Sequence, residues 1–341
     1  MKRILLLLVP IALASLFWWH SSRTDPLRCP PALSKSAFDS SIGIDCLGSE
    51  FVLHRPLDQE IRKKAHTLID QRKSEWDLTP HSSIPHIIHQ VWTSEEALPD
   101  QFAAASRLLQ HQHPNFTYIL WTPKKYGPIL QELIGPEYSS LPLPIQRDLV
   151  VAAVLWQQGG LAADLEAECV QPVTSLLPLG DCLLGFDSPR AKPKHSRRLL
   201  LSPAIIATAP SHPMIKAYLA EMIRRVKEGE QNGKYKIEWI TQDALTTVAA
   251  QFPNTGRILF FGPTYFCPVN PDHIHHFRKI LEGEEKRSMI KKVLHSLHLV
   301  SIPPYSDIAR ETVFVHMEGG REKIRRAGNK YGPLSIDLSK K

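Results

Sequence analysis

The sequence predicts an α/β layered fold, and three observations carry that prediction. Short β-prone apolar runs alternate along the chain with longer segments of helical spacing. A glycine pair, Gly159-Gly160, closes one of those helical segments. The composition, 43% hydrophobic and 22% charged over 341 residues, supports a sizeable core and excludes global disorder. The formal net charge of +7 is modest for this length; it suits anionic partners but does not by itself indicate nucleic acid, and none is expected.

The elements follow in order. Ile84 to Trp92 holds Ile87-Ile88 and Val91-Trp92, and reads as a buried strand. A helix follows from about Leu98 to Gln110, then a turn at His113-Pro114-Asn115 and a second strand at Tyr118–Trp121. Pro123 suits the first turn of the next helix. The stretch from about Pro144 to Gln158 repeats Leu149, Val150, Val154 and Leu155 at near-helical spacing. Leu161 to Asp164 is then a strand edge leading into a loop. Ala204–Thr208 and Ile258–Phe261 read as further strands, with helices at His212–Glu228 and Ile237–Gln251.

Ahead of this body lies a different kind of segment. Lys2 and Arg3 precede an uncharged apolar run from Ile4 to Trp19, with Trp18-Trp19 placed for a membrane interface. Residues 1–19 therefore read as a signal anchor, with the basic pair cytoplasmic and the remaining chain exported. Ala12-Leu13-Ala14 also offers a signal-peptidase site, so secretion after cleavage stays open. Residues 20–80 read as a stem, polar and broken by prolines, with one highly charged helix from about Asp58 to Trp76 acting as a spacer. The globular domain spans 81–341. Of the five cysteines, Cys29–Cys46 and Cys169–Cys182 are the disulfide pairs nearest in sequence.

The chemistry-bearing stretch is Gly159-Gly-Leu-Ala-Ala-Asp164-Leu-Glu166-Ala-Glu168-Cys169. A strand delivers carboxylates at i and i+2, which share a face in regular pleating and converge on one hard cation at a strand end. On its own, D-x-E more often marks a solvated acidic loop after a strand.

Its surroundings decide the reading. Ile84-Pro-x-Ile-Ile-His-Gln-x-Trp92, Leu120-Trp121-Thr122, Arg147-Asp148-Leu149, Val154-Leu-Trp-x-x-Gly-Gly160, Asp164-Leu-Glu166, Ala204-Ile-Ile-Ala207 and Tyr265-Phe-x-Pro-Val-Asn-Pro271 occur in this order. The set resembles glycosyltransferase family 32, the D-x-D sugar-binding motif family of fungal α-mannosyltransferases, and more distantly the glucosylating bacterial toxins. The resemblance spans about Ile84 to Gly320. It implies a GT-A fold, the Rossmann-like fold of nucleotide-diphospho-sugar transferases, behind the membrane anchor. It also implies a divalent metal (Mn²⁺ or Mg²⁺), a nucleotide-sugar donor such as GDP-mannose or a UDP-hexose, and retention of anomeric configuration. By position, Val91 and Trp92 would hold the nucleotide base, Asp148 would contact the donor, and Asp164 and Glu166 would bind metal and diphosphate. His316 would supply a third metal ligand, and Arg321 and Lys323 cations for the diphosphate.

The chain departs from the family pattern at four places. Val151 and Ala152 stand where the family usually has an arginine and an aromatic. Ala162 replaces another aromatic, and Glu166 replaces the second aspartate. The expected activity is transfer of a hexose, mannose favoured, to a glycan or lipid acceptor near the membrane, in the Golgi of a eukaryotic host. The departures motivate a rival reading as a non-catalytic subunit scaffolding an active partner. An exported effector that glycosylates other proteins is a third.

Overall fold

A computed structural model describes residues 56–74, 83–169, 171–187, 199–231, 235–253, 257–267 and 314–316. The expected anchor, Cys29, Cys46, Arg321 and Lys323 lie outside the described residues. Among the described residues no helix is long and apolar enough to cross a membrane.

In chain order the helices are α1 (Pro56–Ser74), α2 (Asp100–Gln112), α3 (Pro123–Leu133), α4 (Leu143–Gln158), α5 (Pro213–Gln231), α6 (Ala244–Gln251) and the single turn α7 (Pro263–Phe266). The strands are β1 (Ile87–Val91), β2 (Thr117–Trp121), β3 (Gly160–Ala163), β4 (Ala167–Cys169), β5 (Cys182–Phe186), β6 (Leu201–Thr208), β7 (Ile258–Phe261) and β8 (Phe314–His316). Six of them form one mixed sheet in the order β2-β1-β3-β6-β5-β7. β1 is parallel to β2 and β3, β5 is parallel to β7, and β6 runs antiparallel to both its neighbours. β4 and β8 pair antiparallel in a separate small sheet. The α/β prediction holds.

β3, β6 and β5 inside the sheet, and β7 at its edge, are buried at every position and read as near-continuous apolar runs because helices cover them. Pro203 sits inside β6 although it has no N–H for the ladder. The β5–β6 register shifts between Leu184 and Gly185, where Gly185 meets Ser202, so the irregularity falls beside Pro203. Helix α4 is buried continuously from Asp148 to Leu155, more than one amphipathic face requires. It packs against β1, β3 and β6 and against α3 and α5.

Two expectations are corrected here. The charged helix assigned to a spacer packs on α6 and β7. Ile61, Ala65 and Leu68, at i, i+4 and i+7, are buried in the same core as the sheet, and Lys64 Nζ donates to the Phe252 carbonyl. These three positions make one apolar stripe in an otherwise polar helix. The Cys169–Cys182 disulfide is absent, for both thiols are free and buried, one in the small sheet and one in the large. Burial pushes the Cys182 thiol up to about 12.

Candidate functional site

The connection from β1 leads to β2 on one side, and β3 then returns to pair with β1 on the other. Such a switch of direction opens a crevice at the carboxyl ends of the parallel strands, the usual ligand position in open α/β sheets. A cleft lies there. Val91 reaches it from the end of β1, Arg147, Asp148 and Val151 from α4, Ala162 to Asp164 from the end of β3, and Pro203 and Ala204 from β6.

Helix arithmetic explains why Asp148 and Asp164 meet. α4 runs into β3 through two glycines and doubles back on it. Asp148 lies ten residues before the end of α4, a rise of about 15 Å, and Asp164 four residues beyond the start of β3, about 13 Å. The two carboxylates therefore come out level.

The reversal needs glycine twice. Gly159 has φ 66° and Gly160 φ 100°, both in the region that side chains rarely adopt. A Cβ on Gly160 would also lie 2.6 Å from the Ile87 carbonyl oxygen. His89, fully buried on β1, donates from Nε2 to the Gly159 carbonyl at 2.8 Å and accepts at Nδ1 from the Trp121 indole N–H at 3.1 Å. These partners fix the neutral tautomer. Burial lowers the His89 pKa, with the Gly159 bond opposing.

Arg147 organises the charges. Its Nε donates to Asp148 Oδ1 at 2.8 Å, and its Nη1 lies 2.7 Å from Asp164 Oδ2. The side chains of Asp148 and Asp164 are 4% and 7% exposed, whereas Arg147 keeps 33%. Burial would lower the Arg147 pKa, but Asp148, Asp164 and Glu166 outweigh it and hold the guanidinium charged.

Asp164 and Glu166 lie on a turn, which corrects the expectation of a shared pleat. Asp164 Oδ1 accepts the Glu166 N–H at 2.9 Å, and the Asp164 carbonyl accepts the Ala167 N–H at 2.9 Å. An Asx-turn thus sits inside a β-turn, as suits an aspartate at a strand exit. The small sheet then sets Ala167 opposite His316, which puts the expected third metal ligand in register one residue beyond Glu166.

The structure thus brings Val91, Asp148 and Asp164 into one cleft, with Glu166 on the adjoining turn. Trp92 follows β1 outside the cleft lining; its indole N–H donates to the Glu96 carbonyl and its ring packs on Phe102. The sequence gives no signal for a role of Arg147, because adjacent residues on a helix ordinarily face apart. Only the fold shows it spanning to Asp164. Among the described residues no three His, Cys, Asp or Glu side chains gather into a metal site. The donors present still suit the implied ion: two carboxylates share one tight turn beside an open cleft, and Mg²⁺-like cations complete such a pair with water and phosphate.

No family model matches the chain. Among curated proteins, inositol phosphoceramide mannosyltransferase 2 of Schizosaccharomyces pombe is 32% identical over 216 residues, 62% of this chain and 56% of that protein. Inositol phosphoceramide mannosyltransferase 3 of the same yeast is 32% identical over 104 residues, 28% of each chain. The initiation-specific alpha-1,6-mannosyltransferase of that yeast is 22% identical over 53% of this chain and 51% of its own. The matches thus span about a quarter to just over half of these relatives. Among solved structures the PaToxG glycosyltransferase has a TM-score of 0.40 at 12% identity, over 74% of this chain and 95% of that one. The named relatives, glycosyltransferases throughout, bear out the family 32 resemblance, and the chain is a homologue of the fungal mannosyltransferases.

Proposed function

We propose that this chain is a retaining glycosyltransferase of GT-A type. It moves a hexose, mannose favoured, from a nucleotide sugar to a glycan or lipid acceptor at a lumenal membrane face. One observation carries the reading. Asp148 and Asp164, far apart in sequence, are brought level by the Gly159-Gly160 reversal in the crevice at the ends of β1 and β3. The curated relatives named as mannosyltransferases support transfer chemistry and the choice of sugar. Residues 1–19 remain the anchor in this reading, and the host decides whether the compartment is Golgi.

Val91 would flank the nucleotide and Asp148 would accept hydrogen bonds from donor hydroxyls. Asp164 and Glu166, with His316 in register beside them, would hold Mn²⁺ or Mg²⁺, which when bound supplies positive charge to the departing diphosphate. The acceptor hydroxyl forms its bond to the anomeric carbon on the face from which the diphosphate leaves, and its proton passes to the departing phosphate oxygen. Placement of Asp148 and Asp164 by a rigid helix and strand would lower the cost of orienting the donor.

The test is donor hydrolysis and binding by the full chain with GDP-mannose, UDP-glucose, UDP-galactose and UDP-N-acetylglucosamine, with and without Mn²⁺, beside Asp164→Ala. Metal-dependent turnover of one donor, lost in the variant, is expected. Absence of binding to any donor by folded protein would overturn the reading and leave the scaffolding subunit in its place.

A further inference from the structure

We propose that Arg147 supplies the donor-site cation that the chain lacks at Val151, as a positioning residue delivered from the opposite sequence side of Asp148. This rests on the transferase reading above. Position 151, where the resembled family carries arginine, is a valine that lines the cleft wall without charge. Arg147 fills the vacated role from the same helix, one residue before Asp148 instead of three after it. It bonds Asp148 at 2.8 Å and Asp164 at 2.7 Å, so one guanidinium bridges the helix carboxylate and the strand-exit carboxylate. Its partial exposure at the cleft leaves it accessible to a ligand, while both carboxylates it holds are nearly buried. Lysine has no planar fork with which to make the same bridge.

Two consequences oppose each other. Arg147 would compete with a cation for Asp164, because its guanidinium already pairs with one oxygen of that carboxylate. It also favours an anionic, hydroxyl-rich ligand, by holding Asp148 in place and adding positive charge at the cleft. A residue that merely stiffened the fold would affect both kinds of ligand in the same direction.

The experiment measures binding by calorimetry on the full chain, for Mn²⁺ alone and for GDP and UDP with Mn²⁺. The proteins are the wild type, Arg147→Gln, Arg147→Lys, Val151→Arg and the double variant Arg147→Gln/Val151→Arg, with folding followed by circular dichroism. Arg147→Gln is expected to bind Mn²⁺ alone more tightly, yet to bind the nucleotide about tenfold or more weakly, the scale of a lost charge-assisted bond. The double variant is expected to recover most of the nucleotide affinity, and Arg147→Lys only part. Parallel weakening of both ligands in Arg147→Gln would overturn the proposal. If Arg147→Gln does not fold, the double variant decides: a folded double variant with nucleotide affinity supports relocation of the charge, and one without affinity, or one that also does not fold, sinks it. Should the wild type bind no nucleotide, the transferase reading itself fails. Should it bind while every Arg147 variant matches it, only this inference falls.

Discussion

His89 Nε2 lies 2.8 Å from the carbonyl oxygen of Gly159, and this bond fastens β1 to the turn that sends β3 towards the cleft. The same ring accepts the indole N–H of Trp121 from β2, so one neutral histidine on β1 ties a β2 side chain to the turn before β3. His89→Ala would leave the Gly159 carbonyl and the Trp121 N–H without these partners. At about 1–3 kcal/mol for each orphaned group, a loss of roughly 2–6 kcal/mol is expected. Urea unfolding monitored by tryptophan fluorescence measures it, and a loss below about 0.5 kcal/mol would show that neither bond matters.

The pH dependence follows from the same physics. Burial lowers the pKa of His89, His113 and His212. A histidine whose folded pKa lies below its unfolded value takes up its proton on unfolding. Its contribution is therefore complete above the unfolded pKa, near 6.5, and is lost as the pH falls towards the folded value. The Tm is expected to stay level just above neutrality and to fall steadily between about pH 6.5 and 5. A Tm that rises on acidification through this window would contradict the burial argument.

How much of this was legible in the sequence depends on range. β1, β2, β3, β6 and β7 announced themselves as short apolar runs, and Asp148, Asp164 and Glu166 through ordered motifs. β5 did not, since Cys182–Phe186 follows a stretch of leucine, proline and glycine that reads equally well as loop. The pairing of β4 with β8 was out of reach because contact between Ala167 and His316 leaves no trace in local periodicity. The stripe of Ile61, Ala65 and Leu68 is readable in principle, yet it is hidden among lysines, arginines and acidic residues that suggest a solvated spacer. The double bridge of Arg147 was invisible, because spacing says nothing about a long side chain reaching from a helix to another element's end.

Tyr218 offers a test in the opposite direction. Its side chain is fully buried in α5, and its hydroxyl has no hydrogen-bond partner among the described residues. Burial, then the charge of Asp148, raises its pKa well above the usual phenol range, so the group stays protonated. Removing an unsatisfied buried hydroxyl relieves desolvation at no cost in bonds. Tyr218→Phe is expected to leave stability unchanged or raise it by up to about 1 kcal/mol in urea. A loss of more than about 1 kcal/mol would reveal that the hydroxyl is bonded in solution, with Asp148 the first partner to examine.

The placement of α1 makes the last prediction, and it bears on how the folded unit is delimited. If the helix were a spacer, chains beginning at residue 50 and at residue 75 would be equally stable. In the structure, Ile61 and Ala65 are fully buried and Leu68 is 4% exposed, and all three close the core over α6 and β7. Losing Ile61 and Leu68 alone forfeits about 1.5–3 kcal/mol each, before counting the apolar surface uncovered on their partners. A total on the order of 5 kcal/mol is comparable with the whole stability of an ordinary domain. The shorter chain is therefore expected to unfold at much lower urea, and the point variant Ile61→Asp in the full chain to lose several kcal/mol as well. Equal midpoints for the two truncated chains would return α1 to the stem.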